Sequence, residues 1–200
     1  MNSTQMIREV QGKLGVTADG LAGPQTWSAI YQAVVGKAVP ATPKFAGAVD
    51  ARSEKVIATL QAEVAPYARM LVQRALAAGV VTRIIAGLRT YAEQDALFAQ
   101  GRTRPGRKVT NAKGGESNHN FGIAFDVGVF EGAVYLGESP RYDVVGALGQ
   151  EIGLEWGGHW SSMADKPHFQ LRPGWAAKMS EAEMLSQLRD RVKAGKAIYA

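Results

Sequence analysis

A stretch without hydrophobic periodicity divides this chain of 200 residues. Residues 36–49 read GKAVPATPKFAGAV. Glycine and proline interrupt this stretch, and its apolar residues follow neither the helix period nor the strand period, which is typical of a linker. We therefore predict a linker at residues 37–50. It separates an N-terminal segment, residues 1–36, from a domain at residues 51–175, which a C-terminal helical tail follows at residues 176–200.

The N-terminal segment has the pattern of two amphipathic helices around a glycine-containing turn. Apolar residues recur at helical spacing on both sides of the turn, at Met6, Val10, Leu14, Trp27, Ile30, Tyr31 and Val34. Two starts are open for the second helix: Thr26 could be its cap, or Pro24 could occupy its first position. The segment is thus predicted to be a helical hairpin.

In the rest of the chain, helical and strand patterns are segregated rather than strictly alternating. Helices are predicted at residues 53–79, 91–100 and 144–152, and strands at residues 82–87 and 123–129. Such segregation predicts the α+β class, with a small antiparallel sheet flanked by helices. The basic tail, with Arg189 and Arg191, is predicted to be a solvated helix end.

Composition limits the chemistry that the chain can perform. The sequence contains no cysteine and three histidines, so disulfides and thiolate nucleophiles are excluded, and strong metal ligands must be histidine or carboxylate. A net charge of +5 and a pI near 9.5 favour a polyanionic partner. The N-terminus lacks a secretory apolar run and no span reaches membrane length, so we expect a soluble cytoplasmic product without stable membrane insertion.

The densest chemical motif is SNHNFGIAFD, residues 117–126. His119 precedes Asp126 by seven positions and Gly122 lies between them, so a loop ligand and a strand ligand could converge. A nitrogen ligand combined with a carboxylate suits a catalytic zinc that keeps one open position. This pattern makes His119 and Asp126 candidate metal ligands.

A third ligand must come from His159 or His168. His168 follows Asp165 by three residues, and this pairing favours His168, because Asp165 could then take a proton from a metal-bound water. His159 has no acid placed to serve it, and we expect it at the rim of the site. Glu155 is the alternative general base, although support of the fold around Trp156 is the favoured role.

These residues carry a resemblance to a known family. Ser-x-His-x-x-Gly-x-Ala-x-Asp followed by Asp-x-x-His-Phe resembles the zinc peptidases that include D-alanyl-D-alanine carboxypeptidases and bacteriophage L-alanyl-D-glutamate endopeptidases. Residues 87–94, GLRTYAEQ, and residues 153–158, GLEWGG, resemble two further segments of that family. The resemblance covers residues 50–171, about three fifths of the chain.

The resemblance implies a role for each matching residue. His119, Asp126 and His168 would bind zinc, Asp165 would activate water, and Arg89 would stabilise the oxyanion. Ser117 and Gln94 would lie near the metal and could hold substrate. Alternatively, Ser117 could bind only the loop backbone and Gln94 could face solvent.

The N-terminal hairpin is similar to the repeat of a small peptidoglycan-binding helical domain. The matching residues are Gln11, Leu14-Gly15, Asp19-Gly20 and the run Gly23-Pro24-Gln25-Thr26. Taken with the basic charge and the absent secretory run, the resemblances imply a phage endolysin that is stored in the host cytoplasm and then acts in the periplasm and cell wall, and we expect it to be a monomer. Its partner would be bacterial peptidoglycan, and its bond the one between L-alanine and D-glutamate.

Three other functions compete with this one. The same family includes D-alanyl-D-alanine carboxypeptidases of wall remodelling, and residue patterns do not separate the two activities. A non-catalytic wall-binding module is a second alternative, but Arg89 and Asp165 argue against it because a structural metal site needs neither residue. Nucleic-acid binding is not expected, because no stripe of basic residues interleaved with aromatics is present.

Overall fold

The computed structural model describes residues 2–16, 18, 20, 24–36, 49–161 and 163–200. The chain forms two compact units, residues 1–46 and residues 47–200. Most of the predicted linker lies outside the described residues, as do Asp19 and Gly23 of the wall-binding motif. The functional division of the chain into domains therefore stays a prediction.

The N-terminal unit contains two helices, α1 (Ser3–Lys13) and α2 (Pro24–Val35). The second helix begins at Pro24, so Thr26 lies inside it. The buried amide of Gln11 holds the hairpin together: its Nε2 donates to Thr26 Oγ1 at 2.8 Å, and its Oε1 accepts from the backbone N–H of Gly20 at 2.8 Å. One side chain thus joins the first helix, the turn and the second helix.

The helix predicted at residues 53–79 is two helices, α3 (Ala51–Ile57) and α4 (Ala65–Ala77). The single-helix prediction is wrong because Pro66 has no N–H to bond four residues back, so it is tolerated only in the first turn of a helix. The intervening segment contacts a distant loop, where Gln61 donates its backbone N–H to the carbonyl of Gly122 at 3.0 Å and its Nε2 to that of Phe121 at 2.9 Å.

The strands are β1 (Val81–Ala86), β2 (Ala124–Glu131), β3 (Val134–Leu136), β4 (Glu155–Trp156) and β5 (His168–Gln170). All pair in antiparallel fashion in the order β1-β2-β5-β4, and β3 pairs with the end of β2. The predicted α+β class with a small antiparallel sheet is therefore confirmed. The central strands β2 and β5 bring two distant parts of the sequence side by side.

Three further helices complete the larger unit: α5 (Tyr91–Ala99), α6 (Arg141–Glu151) and α7 (Glu181–Lys193). The main core is formed by buried residues of α3, α4, α6 and the sheet, among them Ile57, Leu71, Ile84, Val127, Val145 and Phe169. Among the helices of the described residues, none is both long enough and apolar enough to cross a membrane.

The body of α7 packs against the domain, whereas its basic end is solvated as predicted: Arg189, Lys193 and Lys196 are exposed and Arg191 is half-buried. A second core cluster joins α7 and the residues around it to the loop before β2, and consists of Phe121, Ile123, Ala176, Met184, Leu185, Leu188 and Ile198. Arg189 donates to the carbonyl of Gly115 at 2.9 Å and Arg191 to that of Ala197 at 2.9 Å. These two arginines therefore hydrogen-bond backbone carbonyls although they lie at the solvated end of the helix.

Candidate active site

His119 lies in a single 3-10 turn, Asn118–Phe121, directly before β2. The turn ends at Gly122, whose φ of 67° is a left-handed conformation that glycine adopts without strain. The Nδ1–H of His119 donates to the carbonyl of Gly87 at 2.8 Å. This hydrogen bond fixes the tautomer, so the lone pair of Nε2 faces the interior of the site.

Strand pairing brings the other two candidate ligands together. Asp126 on β2 and His168 on β5 are direct cross-strand partners. Directly opposed residues place their Cβ atoms about 4.5–5.5 Å apart on the same face of a sheet. A separation of 42 positions in sequence, from 126 to 168, thus becomes a contact between neighbouring side chains.

The ligand atoms of the three residues lie at nearly equal distances from one another. His119 Nε2 is 3.2 Å from Asp126 Oδ1 and 3.2 Å from His168 Nδ1, and His168 Nδ1 is 3.4 Å from Asp126 Oδ1. Four ligands held tetrahedrally about 2.0–2.2 Å from zinc would be separated by about 3.3–3.6 Å. Within the described residues, these three side chains are the group that could hold a metal, and their geometry fits zinc.

The electrostatics of the three residues favour a cation between them. Burial by itself would raise the pKa of Asp126, but the adjacent imidazoles of His119 and His168 outweigh it and hold this pKa far below the ordinary range. Burial would lower the pKa of His168, yet the hydrogen bond and negative charge of Asp126 raise it. A carboxylate that stays ionised beside two imidazoles is a suitable set of donors for a divalent metal.

Asp165 lies in the turn that leads into β5. Its backbone N–H donates to the carbonyl of Gly157 at 2.9 Å, and its own carbonyl accepts from the N–H of His168 at 3.1 Å. Partial burial, together with the negative charge of Asp126, raises the pKa of the Asp165 carboxyl above its ordinary value. Asp165 lines the same cavity as the three candidate ligands, a space of about 770 Å³.

Arg89 lines the same cavity and is held by its neighbours. Its Nη2 is 3.9 Å from Asp126 Oδ2, and its Nη1 donates to Gln94 Oε1 at 2.8 Å. Its backbone N–H donates to the carbonyl of His119 at 3.0 Å. The guanidinium is therefore fixed beside the candidate ligands, where negative charge would develop in amide hydrolysis.

Gln94 lies beneath Arg89 and is fully buried, so the alternative that it faces solvent is wrong. Its Oε1 accepts from Arg89, and its Nε2 donates to the carbonyl of Ala112 at 2.8 Å and to Thr110 Oγ1 at 3.3 Å. Both ends of the amide are engaged within the protein. This geometry favours support of Arg89 over the predicted contact with substrate.

The remaining candidates lie around the cavity. Ser117 lines it, and its N–H donates to Asn120 Oδ1 at 3.3 Å, so its role as a substrate ligand stays a prediction. His159 is exposed and packs against the ring of Trp156, with centroids 4.8 Å apart, outside the ligand group. Glu155 lines the cavity, but its carboxylate accepts hydrogen bonds from Gln170 and Arg172.

Three residues of the site escaped the sequence analysis: Gln170, Asn118 and Glu181. Gln170 Oε1 accepts from His168 Nε2 at 3.0 Å and from Asn118 Nδ2 at 2.5 Å. Because side chains two positions apart on a strand share a face, the spacing of His168 and Gln170 could have indicated this contact. Glu181 gave no such signal, because it reaches the site from α7.

Comparison with known proteins finds a similarity over the part of the chain that contains this site. Residues 110–171 match the family model of peptidase M15, described as D-alanyl-D-alanine carboxypeptidase. This segment contains all three candidate ligands and Asp165. This part of the chain is therefore similar to the peptidase M15 family.

A curated relative and two solved structures resemble the chain. The peptidoglycan L-alanyl-D-glutamate endopeptidase CwlK of Bacillus subtilis (strain 168) is 38% identical over 106 residues, which cover 48% of this chain and 63% of the relative. The L-Ala D-Glu endopeptidase ChiX of Serratia marcescens is 25% identical, with a TM-score of 0.49 over 62% of this chain and 89% of that one. A variant of the vancomycin-resistance D,D-pentapeptidase VanY in complex with Zn(II) is 15% identical, with a TM-score of 0.44 over 66% of this chain and 83% of that one.

Proposed function

We propose that this protein is a zinc metallopeptidase that hydrolyses the stem peptide of bacterial peptidoglycan at the bond between L-alanine and D-glutamate. The observation that carries the proposal is the group of three ligand atoms 3.2–3.4 Å apart beside Asp165 and Arg89. The peptidase M15 match supports peptide hydrolysis. The 38% identity to a peptidoglycan L-alanyl-D-glutamate endopeptidase supports the choice of bond.

Each residue of the site has a definable part in such a reaction. His119 Nε2, Asp126 Oδ1 and His168 Nδ1 would hold the zinc. When bound, zinc supplies a Lewis acid that polarises the scissile carbonyl and lowers the pKa of water. Asp165 takes a proton from the attacking water and delivers it to the departing amine. Its raised pKa suits this exchange, although a bound cation would oppose the part of the shift that Asp126 causes.

Arg89 provides fixed positive charge for the carbonyl oxygen. Attack on the amide builds negative charge on that oxygen, and a preorganised donor stabilises the charge without reorganising during the reaction. Gln94 holds one side of the guanidinium and ties it to residues 110–112 of the cavity wall. The arrangement therefore combines a metal site, a base and an anion-stabilising group around one cavity.

Digestion of purified peptidoglycan tests the proposal. The digestion is run with the protein as isolated, after treatment with a chelator, and after zinc is restored. Mass analysis then identifies the released fragments and the new amino termini. New D-glutamate amino termini that disappear with chelator and return with zinc are the expected result. Loss of terminal D-alanine alone would indicate a carboxypeptidase, and absence of metal-dependent cleavage would favour a wall-binding module.

We also propose that the protein acts as a phage endolysin, moving from the host cytoplasm to the wall at lysis. The net charge of +5 supports attraction to an anionic wall. Expression in the bacterial cytoplasm, with and without a membrane-pore protein, tests this setting. Lysis only with the pore is expected, and export by the host without it would contradict the proposal.

A monomeric state and the lack of DNA binding stay predictions. Light scattering measures the first, and retention on DNA measures the second.

The N-terminal hairpin is proposed to help bind the wall. Trp27 on α2 has 60% of its surface exposed, and Tyr31, one turn later on the same helix, is also exposed. Co-sedimentation of the full chain with insoluble peptidoglycan measures this contribution. Trp27→Ala should reduce the bound fraction while hydrolysis of a soluble stem peptide is unchanged. Equal sedimentation of both proteins would contradict the role of this surface.

A further inference from the structure

Five side chains next to the candidate metal site close a ring of hydrogen bonds. Asn118 Nδ2 donates to Glu181 Oε1 and, at 2.5 Å, to Gln170 Oε1. Gln170 Nε2 donates to Glu155 Oε2 at 2.6 Å, and Arg172 Nε donates to Glu155 Oε1 at 2.5 Å. Arg172 Nη2 returns to Glu181 Oε2 at 2.8 Å. The ring joins the loop of His119, both strands β4 and β5, and the helix α7.

Gln170 is the member of the ring that touches a candidate metal ligand. Its side chain is 1% exposed, and its Oε1 accepts from His168 Nε2 at 3.0 Å. A proton held on Nε2 leaves the lone pair of His168 on Nδ1, the atom that faces His119 and Asp126. The hydrogen bond to Gln170 therefore selects the tautomer that can bind the metal.

An amide is the side chain that this position requires. The side chain at position 170 accepts hydrogen bonds from His168 and Asn118 and donates one to the carboxylate of Glu155. Glutamine can do this because its amide contains both an acceptor and a donor. An ionised glutamate would accept from His168 but would repel Glu155. The hydrogen bonds of the ring thus fix the orientation of the Gln170 amide, and the amide in turn fixes the orientation of the His168 imidazole.

The ring also connects the site to a part of the chain outside the family match, which ends at residue 171. Glu181 lies in the first turn of α7, and the buried Leu185 and Leu188 hold that helix against Phe121. Because Glu181 accepts hydrogen bonds from both Asn118 and Arg172, it holds these two side chains in place from α7. The C-terminal helix is therefore placed to influence the metal site.

We propose that this ring is a positioning device for His168, in which Gln170 fixes the metal-binding tautomer and Glu181 of α7 keeps the ring closed. The inference rests on the proposed function only in that the site binds zinc. Gln170 and Glu181 are positioning residues, because they act on the metal through His168 and make no contact with the reacting atoms.

Zinc affinity of the whole protein, measured by competition with a chromogenic chelator, tests the role of Gln170. Removing a hydrogen-bond partner of a metal-binding histidine typically weakens metal binding by about 10–100-fold. Gln170→Leu should raise the zinc Kd by about that factor. Glu181→Ala should raise it less, because Gln170 Oε1 stays in place but loses part of its support. A Gln170→Leu protein that is folded and binds zinc as tightly as the parent would overturn the inference.

A matched control separates this effect from general loss of an ion pair. Glu151 on α6 forms an exposed pair with Arg74, at 3.3 Å, away from the ring. Glu151→Ala should leave the zinc Kd unchanged. If Glu151→Ala and Glu181→Ala weaken zinc binding equally, the ring has no specific role.

The tautomers of the histidines provide a measurement that does not depend on a folded variant. Two-bond nitrogen–proton correlation spectra of the zinc-loaded parent should show His168 protonated on Nε2 and His119 protonated on Nδ1. A His168 protonated on Nδ1 would contradict the inference. A parent protein that binds no zinc would instead defeat the proposed function, so the two failures are distinguishable.

Discussion

Each histidine of the site uses one ring nitrogen for the protein and directs the other toward Asp126. His119 donates through Nδ1 to the carbonyl of Gly87, and His168 donates through Nε2 to Gln170. Two imidazoles with opposite tautomers therefore present lone pairs to one point. Asp165 and Arg89, the proposed base and anion-stabilising group, line the same cavity.

Asp165, the proposed general base, is the residue whose loss should separate catalysis from metal binding. Asp165→Asn keeps the size of the side chain but removes its basicity, so kcat should fall by about 10²–10⁴-fold. The zinc Kd should stay near that of the parent. Asp143→Asn is the control, because Asp143 lies at the surface and pairs with Lys166 at 2.7 Å. Unchanged turnover in Asp165→Asn would require another base, with Glu155 the next candidate.

Arg89 should contribute geometry as well as charge. Arg89→Lys keeps the positive charge but loses the planar group that binds Gln94 while it faces the cavity. Loss of a fixed anion-stabilising donor typically costs about 2.7–4 kcal/mol of transition-state stabilisation, or about 10²–10³ in kcat. Steady-state kinetics on a soluble stem peptide measure the effect. A lysine variant with parental kcat would show that charge alone suffices.

At the residue scale, sequence patterns indicated the candidate metal ligands more readily than the side chains that support them. His119, Asp126 and Asp165 lie in short motifs whose spacing implies chemistry, and the structure brings them together. The contacts of Gln94 and Gln170 depend on how a loop and a helix fold back on the site, which no local spacing encodes. Conversely, His159 stays outside the ligand group because its ring packs on Trp156.

At the scale of elements, the interruption between α3 and α4 has a structural role. Thr59 Oγ1 accepts from the N–H of Leu88, and Gln61 binds the loop of Gly122. The segment between α3 and α4 thus supports the backbone beside Gly87, which accepts a hydrogen bond from His119, and the loop that follows His119. Hydrophobic periodicity alone did not reveal it, because the apolar face continues through the gap.

The cap of α3 gives a prediction on pH dependence. Asp50 Oδ1 accepts from the N–H groups of Arg52 and Ser53. Burial raises the pKa of Asp50, but hydrogen bonds to Ser53 and Arg52 outweigh it, so the folded pKa lies below 3.8. The stabilisation is therefore fully present above pH 3.8 and is lost as the pH falls through the lower, folded pKa.

Urea unfolding across a pH series measures this contribution. Asp50→Ala should reduce the free energy of unfolding by about 0.5–2 kcal/mol at neutral pH, the usual cost of losing such a cap. The difference from the parent should narrow in acid. Asp50→Asn keeps an uncharged acceptor and should show a smaller loss. A pH-independent difference for Asp50→Ala would contradict the role assigned to the carboxylate.

The C-terminal helix should be as important for stability as the central elements. Leu188 is 0% exposed, whereas Val192 on the same helix is 52% exposed. Leu188→Ala should destabilise the protein by about 2–5 kcal/mol, and Val192→Ala by less than about 0.5 kcal/mol. Thermal and urea unfolding provide the comparison. Equal stability of the two variants would contradict the role assigned to the buried Leu188.

At the scale of the whole molecule, sequence patterns predicted the class and the order of the main elements. The strands predicted at residues 82–87 and 123–129 correspond to β1 and β2, and the helix predicted at residues 144–152 corresponds to α6. The short strands β3, β4 and β5 were not predicted, because two or three residues are too few to show a period. Yet β5 carries His168, so the least predictable part of the sheet completes the site.

Crystals of the zinc-loaded protein, measured on both sides of the zinc absorption edge, test the central claim most directly. One anomalous peak is expected, about 2.0–2.2 Å from His119 Nε2, Asp126 Oδ1 and His168 Nδ1. The same preparation should cleave peptidoglycan. An active preparation whose zinc lies elsewhere, or which contains none, would contradict the assignment of these three residues as the catalytic metal site.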